Sequence, residues 1–94
     1  MKPVQRIERE KWEENRRKYR KVIIRIFNSV DFPSKQARDV LLESYLINLT
    51  ELMQYAYANN IQPYGFFKQI EQQVREYAAA EWARVAALNA NQHG

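Results

Sequence analysis

The stretch from Arg38 to Asn59, RDVLLESYLINLTELMQYAYAN, constrains this chain more than any other. Wound as a helix of about 3.6 residues per turn, it spreads Val40, Leu41, Leu42, Tyr45, Leu46, Ile47, Leu49, Leu52, Met53, Tyr55 and Ala56 over most of its circumference. Only a narrow strip through Glu43, Ser44, Asn48 and Glu51 is polar. A helix that is apolar nearly all round has to be covered from several directions. The segments on either side carry helical apolar stripes of their own. The expectation is an all-α chain, a three-helix bundle with the central helix most buried.

Taken in order, residues 1–5 read as a flexible lead-in, with Pro3 tolerated ahead of a helix. From residue 6 to 30 Trp12, Tyr19, Ile23, Ile26 and Val30 recur at helical spacing, widened by Val22 and Phe27. The first half of this helix is nearly all charged. Glu13 stands four residues before Arg17 and Glu14 four before Lys18, an orientation that supports a solvated helix, anchored by Trp12 and Ile7. Asp31-Phe32-Pro33-Ser34 breaks it, since Pro33 pushes Phe32 out of helical geometry and Asp31 or Ser34 can cap the next helix. The central helix is expected over 34–59. Asn59-Asn60-Ile61-Gln62-Pro63 is the second break, and a third helix over 63–88 presents Phe67, Ile70, Val74, Tyr77, Ala78 and Trp82 on its inner face. Residues 89–94 read as a disordered tail, so residues 6–88 form one domain.

Composition narrows the function. Without cysteine there is no disulfide framework and no thiolate chemistry, and the single histidine, His93, sits next to the last residue. No glycine-rich phosphate loop, nucleophile elbow or metal-ligand spacing is present. Glu10, Glu13 and Glu14 have basic neighbours, and Asp31 and Asp39 suit a cap and a first-turn acid. The expectation is no enzyme, no cofactor and no metal. The opening residues lack the apolar core of a secretory signal, and no apolar run reaches the 18 or so residues of a membrane span. An intracellular protein, cytoplasmic or nuclear, is expected. Of the net charge of +4, residues 1–25 hold ten Lys or Arg against four Glu, so the rest of the chain is slightly negative. Any electrostatic role belongs to the first helix.

Lys21-Val22-Ile23 with Ile26-Phe27, then Asp31 and Arg38, precede Glu51, Tyr55, Ala58 and Tyr64, the spacing E-x3-Y-x2-A-x5-Y. These residues resemble the KIX domain, a three-helix module of transcriptional coactivators and of a Mediator tail subunit, over Lys21 to Tyr77, roughly 60% of the chain. Gly65 departs from the bulky residue common there, and the set Phe66, Phe67, Ile70 and Val74 falls one residue early. Glu71 follows Ile70 where the family pattern has a tyrosine that meets phosphoserine. The resemblance implies that amphipathic helices of activation domains dock into grooves on the bundle, one between helices one and three, another near the junction of helices one and two with helix three.

The expected partner site rests on that first groove. Tyr19, Ile23 and Ile26 of the first helix meet Phe66, Phe67, Ile70, Val74 and Tyr77 of the third, with Phe66 and Tyr57 the more exposed anchors. Arg16, Arg20 and Lys21 face acidic residues of the partner's amphipathic helix. Each set has a plainer reading: the aromatics as core, the basic run as a solvated face. Two other functions stay open. One is a small nucleic-acid-binding regulator using the basic first helix; the other is an adaptor or inhibitor that caps a larger assembly.

Overall fold

The computed structural model describes the backbone of residues 3–93 and the side chains of residues 10–90. It is helical throughout apart from short corners: α1 (Pro3–Ser29), α2 (Lys35–Ile47), α3 (Leu49–Ala58) and α4 (Pro63–His93). The all-α expectation holds; the count of helices does not. The lead-in and tail expected at 1–5 and 89–94 fall largely outside the described side chains, as do Ile7 and His93. In the backbone α1 is helical from Pro3, and α4 continues past Leu88.

The corners form for local reasons. Ser34 is extended (φ −150°, ψ 154°), and its hydroxyl accepts the Ala37 amide at 3.1 Å, an N-cap that starts α2. The second corner is a Schellman close. Asn60 adopts φ 56°, the Ile61 amide reaches back to the Ala56 carbonyl at 2.8 Å, and the Asn60 amide donates to Tyr57 at 3.2 Å. Ile61 then packs on the core, and Pro63 opens α4, where its missing amide costs nothing.

The central stretch is not a single rod. At Asn48 the backbone leaves helical geometry (φ −94°, ψ 11°), the Asn48 amide donates to Ser44 and Leu46, and its Nδ2 donates to the Ser44 carbonyl at 2.9 Å. That side chain competes for backbone acceptors the helix would otherwise use. Leu52 donates to the Asn48 carbonyl at 2.9 Å and the helix resumes as α3.

Aromatic contacts fix the directions. Tyr19 of α1 meets Phe66 and Phe67 of α4 at 5.1 and 4.8 Å between ring centroids. Some way along both helices, Trp82 Nε1 donates to the Asp31 carbonyl at 2.9 Å, so α1 and α4 run the same way. The α2–α3 arm returns between their ends, with Tyr45 against Phe27 and Tyr57 against Trp12. The molecule is long, 68 × 21 × 18 Å, and its radius of gyration of 17.2 Å exceeds the roughly 12 Å of a compact chain this size. Past Trp82, α4 runs on beyond the corner it closes.

The core joins Tyr19, Ile23 and Phe27 of α1, Leu49, Met53 and Ala56 of α3, and Phe66, Ile70, Val74 and Ala78 of α4. None of the residues of α2 is fully buried; Leu41, Leu42, Tyr45 and Leu46 pack from the side. Full burial in the central stretch is therefore confined to its α3 half. Val40, Ile47 and Tyr55 are 60%, 72% and 63% exposed. The reason is geometric: two flanking helices cover only part of its circumference, and the remaining apolar side faces water.

Phe27 is fully buried and touches both Phe32 and Tyr45. Phe27→Ala is expected to cost about 3–5 kcal/mol through lost transfer energy and the cavity left behind. Ser34→Ala, which removes only the cap, should cost about 1 kcal/mol. Urea denaturation of the two variants checks the ranking.

Candidate functional site

Between α1 and α4, Val22 and Ile26 face Tyr64, Phe67, Lys68 and Glu71 across a cleft of about 220 Å³. Its walls are mainly apolar. Val22 and Ile26 lie four residues apart on α1, beside the buried Ile23 and Phe27. Phe67 is half-buried, and the Tyr64 ring is 74% exposed with the Lys68 ammonium 5.6 Å from its centroid. Glu71 is flanked by Lys68 at 3.9 Å and Arg75 at 3.1 Å, so that rim keeps an excess of positive charge. On α1, helical register sets Lys18 and Arg25 beside Val22, four residues before it and three after. The cleft is smaller than the roughly 300 Å³ at which small-molecule sites begin. It fits one or two anchoring apolar side chains.

The structure sorts the expected residues into three groups. Tyr19, Ile23, Phe66, Ile70 and Val74 are core, closed to a partner unless the bundle opens. Phe67 lines the cleft and Tyr77 is exposed beside Phe32, at 6.4 Å between rings. Arg16, Arg20 and Lys21 are not among the residues that line it. Arg16 pairs with Glu13 at 3.4 Å, while Arg20 and Lys21 are exposed. The expected pairs Glu13–Arg17 and Glu14–Lys18 are not formed among the described residues; Glu13 takes Arg16 instead.

The choice between the adjacent phenylalanines is the reverse of the expectation. Phe66 is buried, 5% exposed, and Phe67 faces the cleft. Phe66, Ile70, Val74 and Ala78 recur every four residues and form the seam against α1 and α3, which leaves Phe67 at its edge. Lys68 was not anticipated, and Val22 and Tyr64, which stood in the first helix's apolar stripe and in the KIX-like spacing, were not assigned to the partner site. Their signal was present in the spacing of Tyr64, Phe67 and Lys68 along one side of α4. Tyr57 is partly exposed as expected; its hydroxyl accepts from Asn15 Nδ2 at 3.2 Å, and its ring meets Trp12 edge-on at 5.1 Å.

Among the described residues no charged side chain is buried, and no group of three His, Asp or Glu is placed to hold a metal ion. No described helix is long and apolar enough to cross a membrane. The shifted groups near the core are phenols. Burial raises the pKa of Tyr45, whose hydroxyl donates to Gln73 Oε1 at 2.6 Å. Tyr19 is raised by burial first and then by the neighbouring Tyr57. No protein-family model matches the chain, and neither the curated proteins nor the solved structures contain a match to it.

The tyrosines make a prediction with a definite sign. A phenol whose pKa is raised on folding stabilises the protein fully below its unfolded value, near 10.0, and that contribution is lost as pH rises through the folded value. Stability should therefore fall above the ordinary tyrosine range, because the unfolded chain releases protons the native one holds. Tyr45→Phe should flatten that alkaline decline, checked by urea denaturation across the window alongside tyrosinate absorbance.

Proposed function

We propose that this chain is a non-catalytic protein-interaction module that binds an acidic amphipathic helix of a partner protein. It is built on three arms: α1, the α2–α3 arm bent at Asn48, and α4. The observation that carries the reading is the cleft between α1 and α4, apolar on its walls, lined by the pair Lys68 and Glu71, with Arg75 beside Glu71 and Lys18 and Arg25 a turn away from Val22. An apolar side chain of the partner fills the space between Val22, Ile26 and Phe67. Carboxylates one turn away on the same partner helix meet Lys68, Arg75, Lys18 and Arg25. Apolar contact supplies most of the affinity, while the cations speed encounter and fix register. The resemblance of Lys21 to Tyr77 to KIX modules points to the same kind of ligand and to a transcription regulator inside the cell.

The nucleic-acid reading has one observation in its favour, the exposed cations Arg17, Arg20 and Lys21 on α1. Against it, Glu10, Glu13 and Glu14 are interleaved on the same helix, where they repel phosphate.

NMR titration of the labelled chain with an acidic amphipathic activation-domain peptide tests the proposal. Amide shifts are expected at Val22, Ile26, Tyr64 and Phe67. Phe67→Ala is expected to weaken binding about tenfold, and Lys68→Glu to slow association with a smaller effect on dissociation. A parallel titration with a short DNA duplex that moves only residues of α1, with affinity falling log-linearly in salt, would overturn it.

A further inference from the structure

One surface lies apart from the cleft. Val40, Ser44, Ile47, Glu51 and Tyr55 succeed one another at intervals of three or four residues, a mixed stripe that sets exposed apolar side chains along the polar strip of the central stretch and crosses the break at Asn48. Val40, Ile47 and Tyr55 are among the most exposed large apolar side chains described. Two clefts flank the break and share Ser44 and Asn48, one of about 380 Å³ beside Val40 and Ile47, the other of about 500 Å³ beside Leu52 and Tyr55. Apolar patches of this kind on a water-facing surface mark contact sites. The charge around this one has a single sign. Residues 39–67 contain Asp39, Glu43 and Glu51 and no lysine or arginine, and neither Glu43 nor Glu51 has an ion-pair partner among the described residues.

The same chain carries the complement. On α1, Ile24 is half-buried, and helical register groups Arg17, Arg20 and Lys21 around it, seven, four and three residues before it. These are the cations the α1–α4 cleft does not use, and they too have no ion pair among the described residues. One face sets Val40, Ile47 and Tyr55 among carboxylates without an ion pair, the other sets Ile24 among cations without one, and each is left open within one molecule. We propose that the α2–α3 face of one copy docks the Arg17–Ile24 face of α1 from a second copy, so that the chain self-associates. Ile24 enters the cleft beside Ile47, and Arg17, Arg20 and Lys21 pair with Glu43 and Glu51. This contact does not involve Val22, Phe67 or Lys68, so it stands or falls separately from the helix-binding reading.

Sedimentation velocity of the full chain across micromolar to millimolar concentration tests it with paired charge reversals. The parent chain is expected to associate at low salt and to dissociate as salt screens the pairs. Glu43→Lys with Glu51→Lys makes both faces basic; Arg17→Glu with Arg20→Glu makes the α1 face acidic like the other. Each double variant alone should associate at least tenfold more weakly than the parent, with unchanged helical circular dichroism. An equimolar mixture of the two brings opposite faces together again and should restore association. Adding Ile47→Asp to both variants should abolish the restoration, which separates docking at this face from attraction between opposite net charges. A parent that stays monomeric, double variants that associate like the parent, or a mixture that fails to recover would each overturn the proposal.

Discussion

Ile23 of α1, Met53 of α3 and Val74 of α4 are each wholly buried, and together they form the seam on which the three helices meet. No pair of these helices can close that seam alone. Burying one such side chain contributes about 1.5–3 kcal/mol, and each loses part of it if any third element is withdrawn. The remaining contacts are arranged to keep the three helices in register. Tyr19 packs on Phe66 and Phe67 at one end, and Trp82 donates to the Asp31 carbonyl at the other. The Ala56–Ile61 close turns the chain from α3 into α4 at the spacing the seam needs.

The same seam explains what was legible beforehand. The stripe Tyr19, Ile23, Phe27 repeats every four residues and Ile70, Val74, Ala78 does likewise, so these helices and most of their buried faces could be read from spacing. Both corners were visible because proline and paired asparagines act through local backbone geometry. Asn48 was not, because an isolated asparagine inside an apolar run is also compatible with an unbroken helix. Its effect depends on the bond from Nδ2 to the Ser44 carbonyl, which the residue's identity permits and does not dictate. The Phe66 and Phe67 exchange has the same origin: two adjacent rings differ by about 100° around a helix, and neighbours on α1 and α3 decide which one enters.

The basic run shows the limit of reading charge from order along the chain. Arg16, Arg17, Lys18, Arg20, Lys21 and Arg25 are near one another in sequence, but a helix distributes them around its axis. Lys18 and Arg25 fall beside Val22, Arg16 turns toward Glu13, and Arg17, Arg20 and Lys21 surround Ile24. One cluster in the sequence becomes several surfaces with different neighbours. Function has to be argued from each surface with the apolar residue at its centre.

Incomplete covering of the central stretch and the existence of binding surfaces have one physical cause. Residues 38–59 carry apolar side chains around nearly the whole helix, and α1 and α4 are helices of limited width that cover only part of it. A third neighbour would bury Val40, Ile47 and Tyr55; the described residues do not supply one. Ser44 and Glu51, set among Val40, Ile47 and Tyr55, keep that face hydrated. The cleft between α1 and α4 arises in the same way, where Tyr64 and Phe67 are only partly covered by α1. Both surfaces are places where the seam stops short of the apolar residues the sequence supplies.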